Sequence, residues 1–275
     1  MKRLNAFLYG LLLVSGLHVV HAAENKLKPK LAISPPRLEI YPEQEKNGYS
    51  ITVLNLASTP MTVEVTTQNW DLDENNVFRP LPPNEQSLDK WLIINPVRLM
   101  IPPNSQQTVR LAVRPRAKPE QGEHRAMVFF RQMPEAGKRG QVNFNVGVPI
   151  YAYFGEVKRE AKVHSLTFLP EKQELNIDIS NLGNAYIRPE GVFVVMKKNA
   201  LKKHEDILAY LDFNNDKITA EGVVASGKVL PQPVFAPQRR ILKNQIPFDK
   251  IDEPYVLGIK MNIGEQVYEE TFVVE

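Results

Sequence analysis

The sequence predicts an all-β protein: two antiparallel β-sandwich domains behind a cleaved export leader. Three observations predict it. Side chains alternate apolar and polar with a period of two along most of the chain, proline-bearing turns separate the alternating runs, and a basic-then-apolar segment precedes them all.

The leader comes first. Lys2 and Arg3 form a basic start, Ala6–Leu17 an apolar core, and Val20-His21-Ala22 a small-residue cleavage site, so residues 1–22 read as a signal peptide. The apolar run is shorter than the roughly 18 residues of a spanning helix, and nothing later in the chain is apolar enough to span. The leader holds two of the 34 Lys and Arg residues and none of the 31 Asp and Glu. The mature chain is therefore near neutral, and no basic run interleaved with aromatics marks a nucleic-acid track. Cysteine is absent, which excludes disulfides, thiolate catalysis and thiolate metal sites.

The strands follow in order. Ser50–Leu54 and Met61–Thr66 alternate on either side of an Ala57-Ser58-Thr59-Pro60 turn. Thr108–Val113 follows the turn Pro102-Pro103-Asn104-Ser105; Arg125–Arg131 and the long run Val142–Phe154 complete the first set. The polar stretch Gly155–Lys162 ends it. A second set then reads Val163–Leu169, Glu174–Ile179, Gly191–Met196, Tyr255–Met261 and Gln266–Val274, with Asn181-Leu182-Gly183-Asn184 as a turn. Domains are expected over 23–157 and 158–275. Asn199–Gln232 is the least regular stretch. Leu201, Ile207, Leu208 and Leu211 could line a short helix, but Ile207–Phe213 is assigned as a strand.

Catalytic chemistry finds no footing. The histidines left after the leader, His124, His164 and His204, are dispersed, and no nucleophile elbow, His-Glu-x-x-His or phosphate loop occurs. Two acidic runs open like calcium loops. Asp71–Asn75 then carries Asn76 and Pro82, and Asp212–Asp216 carries Lys217 and Val223, where glycine and a bidentate glutamate are needed. Both read as solvated turns. No cofactor and no enzymatic activity are expected.

Four segments carry more specific information. Leu31-Ala32-Ile33-Ser34-Pro35-Pro36-Arg37-Leu38-Glu39-Ile40 reads as an edge strand that bends or switches sheets at its prolines. Ile101–Leu111 and Met127–Pro134 follow. Last comes Gln141–Ile150, whose Val142, Phe144, Val146, Val148 and Ile150 occupy strictly alternate positions. Such alternation suits either a strand lining its own core or one lent to a partner.

In order and spacing this set resembles the PapD-like periplasmic pilus chaperones of the chaperone–usher pathway. The resemblance implies two immunoglobulin-like domains in a boomerang, which hold a pilus subunit and deliver it for assembly at an outer-membrane usher. It implies that the long strand fills the groove of a subunit lacking its last strand, with Val142, Phe144, Val146, Val148 and Ile150 as partner-binding residues. It also implies that Arg37 grips the subunit's terminal carboxylate, for which a guanidinium fork is suited. The sequence departs from the family at three places. Tyr151 stands where a second anchoring lysine is expected, Gly155-Glu156 replaces an Arg-Pro pair, and Glu123 lacks its arginine partner at the matching position. The alternatives are an exported pilus adhesin or minor pilin, against which the polar Ala23–Lys30 segment argues, and a sandwich-fold carbohydrate-processing enzyme.

Overall fold

The computed structural model describes residues 30–43, 48–134, 143–264 and 266–275. The predicted leader and Val142 lie outside them. The first part of the chain contributes β1 (Leu31–Ser34), β2 (Leu38–Ile40), β3 (Tyr49–Asn55), β4 (Met61–Leu72), β5 (Phe78–Leu81), β6 (Leu92–Asn95), β7 (Arg98–Ile101), β8 (Ser105–Val113), β9 (Gly122–Gln132) and β10 (Asn145–Phe154). The second contributes β11 (Ala161–Leu169), β12 (Glu174–Asn181), β13 (Glu190–Lys197), β14 (Val223–Val229), β15 (Arg239–Gln245), β16 (Tyr255–Ile263) and β17 (Gln266–Val274).

Each set closes on itself as a two-sheet sandwich. In the first, the sheet β1-β3-β8-β6 faces β2-β10-β9-β4-β5, with β7 also on β4; in the second, β11-β12-β15 faces β14-β13-β16-β17. Alternation sets the register: Ile51 and Val53 of β3, Met61, Val63 and Val65 of β4, and Ala126, Val128 and Phe130 of β9 all point into one core. Leu175, Ile177 and Ile179 of β12 do the same in the second.

The opening strand switches sheets at its prolines. β1 pairs antiparallel with β3; beyond Pro35-Pro36, β2 pairs parallel with β10 in the opposite sheet. Between the sandwiches, the Asn181–Asn184 turn holds the linker. Asn184 donates its backbone N–H to Lys158 O at 2.9 Å, accepts from Lys158 N at Oδ1 (2.7 Å), and accepts Glu123 N–H at its own carbonyl, 2.9 Å away. Gly183 lets the linker approach, since a Cβ there would stand 2.1 Å from Lys158 O.

One element differs from the sequence reading. His204–Tyr210 is a 3-10 helix rather than part of a strand over Ile207–Phe213. Ile207 and Leu211 lie four residues apart and pack together on Val192, Val194, Met196 and Val256, covering the outer face of β13 and β16. The adjacent Ile207 and Leu208 both pack into this cluster, which a strand sending successive side chains to opposite faces would not do. Gly258 admits the helix: a Cβ there would meet Ile207 Cγ2 at 2.9 Å. The acidic runs form turns. Asp73 Oδ1 accepts the N–H groups of Asn75 and Val77, and Asp212 Oδ1 that of Asn214.

Candidate functional site

β10 carries the first half of the site. It pairs with β9 along its whole length, Asn145 to Phe154, but β2 covers its other edge only from Ile150 to Ala152. Gln132 N–H donates to Phe144 O at 2.8 Å, which turns the backbone groups of Phe144 toward β9. By strand alternation Val146 and Val148 also turn to β9, whereas Asn145 and Gly147 present N–H and C=O to the open edge. Pro149, which has no N–H to leave unpaired, tolerates such an edge.

The side chains divide differently from the sequence reading. Val148 and Ile150, at 1% and 0% exposure, line the chain's own core. Both side chains are buried, and Ile150 also stands where β9 and β2 flank the strand, so they reach no partner in this conformation. Phe144 and Val146 are half-buried at the rim of that core, on the same face. On the opposite face Gly147 leaves room for Phe129 and Met127, whose atoms lie 3.0 and 2.9 Å from where a Cβ would stand. From Ile150 on the strand is buried on both sides: Ile150, Ala152 and Phe154 face the core, while Tyr151 and Tyr153 face the second sandwich.

The second half is the junction itself, an aromatic cluster of Trp70, Tyr151, Tyr153, Tyr186 and Phe235 drawn from both sandwiches. Tyr151 fills the expected lysine position with a buried ring 4.7 Å from that of Tyr186. Tyr186 donates its hydroxyl to Glu39 Oε1 at 2.6 Å, and the same oxygen lies 3.3 Å from Arg37 Nε. Arg37 thus borders the cleft, half-exposed and tethered at Nε. Burial, with Glu39 adding to it, pushes the Tyr186 phenol up to about 12, while Arg37 and Arg188 pull it down. Burial raises Tyr151 and Tyr153 likewise, so all three phenols are neutral.

Glu123 joins the sandwiches. Its carboxylate accepts the backbone N–H of Tyr186 at 2.7 Å through one oxygen and Arg125 Nη1 at 3.2 Å through the other. Burial raises its pKa above the usual carboxylate value, partly offset by Arg125. Arg125 also meets Asp71 Oδ1 at 3.4 Å and lies 3.9 Å over the Phe235 ring. The partner that sequence reasoning found missing is therefore two residues along the same strand, where i and i+2 share a face. Asp71, read as part of a solvated turn, is instead a buried hub that accepts Gln238 Nε2 at 3.2 Å. Arg240 donates to the Asp73 carbonyl beside it. His124 is structural: its ring nitrogens contact the carbonyls of Gln86 and Glu120 at 2.7 and 3.0 Å, and it packs on Trp91. Among the described residues no cluster of three or more His, Asp or Glu could hold a metal.

These features define a two-domain, immunoglobulin-like β-sandwich protein with one strand edge open beside an arginine- and tyrosine-lined cleft. Residues 30–150 match the family model of pili and flagellar-assembly chaperones, PapD N-terminal domain. No curated protein sequence matches it. Solved structures with a similar fold include the YadV chaperone, at 11% identity and a TM-score of 0.48, covering 90% of this chain and 100% of that one. The CsuC–CsuE chaperone–tip subunit complex of Acinetobacter baumannii shows 12% and 0.47, covering 89% and 98%. The CupB2 chaperone of Pseudomonas aeruginosa shows 13% and 0.44, covering 89% and 100%.

Proposed function

We propose that this protein is a non-enzymatic periplasmic chaperone, exported by its leader, that holds pilus subunits through the open edge of β10 and hands them to an outer-membrane usher. The observation that carries this reading is the half-open strand: Asn145 and Gly147 offer unpaired backbone groups while Phe144 and Val146 sit at the core rim. A subunit missing a strand needs both things at once, edge amides satisfied and every second side chain pocketed. Burying one such apolar side chain contributes roughly 1.5–3 kcal/mol. Arg37, at the cleft end of that edge, would meet a carboxylate with the part of its fork that Glu39 leaves free. Arrangement in two domains, 23–157 and 158–275, is part of the same proposal.

Co-expression with a pilus subunit tests it. Phe144→Asp should lose the subunit while remaining folded, and Asn143→Asp, on the other face of the strand, should retain it. Equal recovery with Phe144→Asp and wild type rejects the reading.

A further inference from the structure

We infer that Arg240 and Lys243 bind the phosphate group of a small phosphate monoester, in a cavity of about 800 Å³ where the Asp71–Asn75 turn meets β15. The cavity stands apart from the subunit-holding edge. In the sheet β2-β10-β9-β4-β5 the open strand lies near one end, and the cavity lies at the other, beyond β4.

The free edge of β15 forms one wall. Arg240 reaches the cavity from the inward face of this strand, and Arg239, Ile241 and Lys243 reach it from the outward face. β15 pairs on one side only, with β12, so a cavity that meets both its faces runs along its other side. Gln238 O accepts the Asn181 N–H and Ile246 N–H donates to Gln173 O, so even-numbered residues turn their backbone groups to β12. Arg239, Ile241 and Lys243 turn theirs to the free edge, where Lys243 O accepts Gln232 Nε2 at 2.8 Å. The Ile241 N–H meets no acceptor there among the described residues.

Arg240 brings the buried charge. It is only 7% exposed, and its guanidinium is half used: Nη2 donates to the Asp73 carbonyl, whereas Nη1 is buried without a partner. Lys243 is exposed, and its ammonium has no ion-pair partner among the described residues. The other charges around the cavity are mostly matched. Asp71 takes Arg79 at 3.3 Å, Arg125 at 3.4 Å and Gln238 at 3.2 Å. Asp73 Oδ1 caps its own turn, and Arg239 forks onto Asp178 at 2.9 and 2.7 Å. Glu74, exposed, is the one lining carboxylate left unpaired. Two cations and an edge N–H thus face a single free carboxylate.

The chemistry of these donors selects the ligand. A buried donor left unpaired is costly, and an oxyanion relieves it. Half a guanidinium fork cannot hold a flat carboxylate by two parallel bonds, whereas a tetrahedral phosphate offers oxygens to donors arriving from both faces of a strand. Lysine suits phosphate as a point charge. The cavity far exceeds one phosphate group, which leaves room for a small organic substituent.

Titration calorimetry of the full chain with glycerol phosphate, inorganic phosphate and acetate, at constant ionic strength, tests the site. Wild type should bind the ester saturably, at least as tightly as inorganic phosphate and about tenfold or more tighter than acetate. Arg240→Met keeps the apolar stem and, folded by circular dichroism, should abolish binding. Lys243→Gln, at an exposed position, should weaken the ester about tenfold, and Glu74→Gln should tighten it. A folded Arg240→Met that still binds the ester overturns the assignment. Should that variant not fold, unchanged affinity in Lys243→Gln overturns it instead. Acetate binding as tightly as the ester, inorganic phosphate binding where the ester does not, or no saturable binding by wild type would each do the same.

Discussion

Glu123 accepts the backbone N–H of Tyr186 at 2.7 Å, and this bond, with that from the Tyr186 hydroxyl to Glu39, ties the edge-bearing sheet of the first sandwich to the cleft wall built by the second. The Glu123 carboxylate carries Arg125, which carries Asp71 and stacks on Phe235. The cleft is therefore held by a continuous polar and aromatic network.

Glu123→Ala orphans the Tyr186 N–H and should cost about 1–3 kcal/mol in stability. Glu123→Gln keeps an acceptor and should be milder. The pH dependence separates them further. Burial raises the folded pKa of Glu123 above 4.5, so folding favours its protonated form, and its contribution to stability declines as pH rises from that value through the folded one. Thermal melts from acid to neutral pH should show wild type losing ground relative to Glu123→Gln as pH rises. A constant difference would contradict this.

Gly183→Ala places a Cβ against Lys158 O and must displace the linker, at a cost of about 1–3 kcal/mol. Denaturant titration reads it directly. An unchanged midpoint would show that the turn does not hold the linker.

Arg37→Ala removes one charge-assisted contact to a bound carboxylate, worth about 1.5–3 kcal/mol, while costing the fold only a half-exposed pair with Glu39. Subunit affinity should fall by tenfold or more with the melting temperature nearly unchanged. Unaltered affinity would remove Arg37 from the binding surface.

Val148→Asp buries an unpaired carboxylate in the first core and should unfold the free protein, whereas Phe144→Asp at the rim should not. Circular dichroism of the two purified variants distinguishes them. Unfolding by both would make Phe144 a core residue.

Strands whose inward side chains are apolar were legible in the sequence: β3, β4, β9, β12 and β16 all alternate or run apolar. The sheet switch at Pro35-Pro36 was legible too, because proline breaks a ladder. β15 was not, since Arg240 and Asn244 point inward on either side of Leu242, and its alternation carries no hydrophobic signal. Within β10, residues 142–150 read as one uniform series. Only the tertiary fact that β2 joins the edge at Ile150 divides rim from core. The partner of Glu123 was hidden for a similar reason, being found by asking which side chains share a strand face rather than which position a family pattern reserves.

Two backbone amides carry the strand-lending role. Asn145 and Gly147 face the open edge of β10, while Val146 and Val148 bond to β9. Amide hydrogen exchange, measured on the free chain and on its complex with a pilus subunit, should show Asn145 and Gly147 exchanging fast when free and becoming protected when bound. Val146 and Val148 should be protected in both states. Fast exchange at Asn145 and Gly147 within a stable complex would mean that the subunit is held elsewhere.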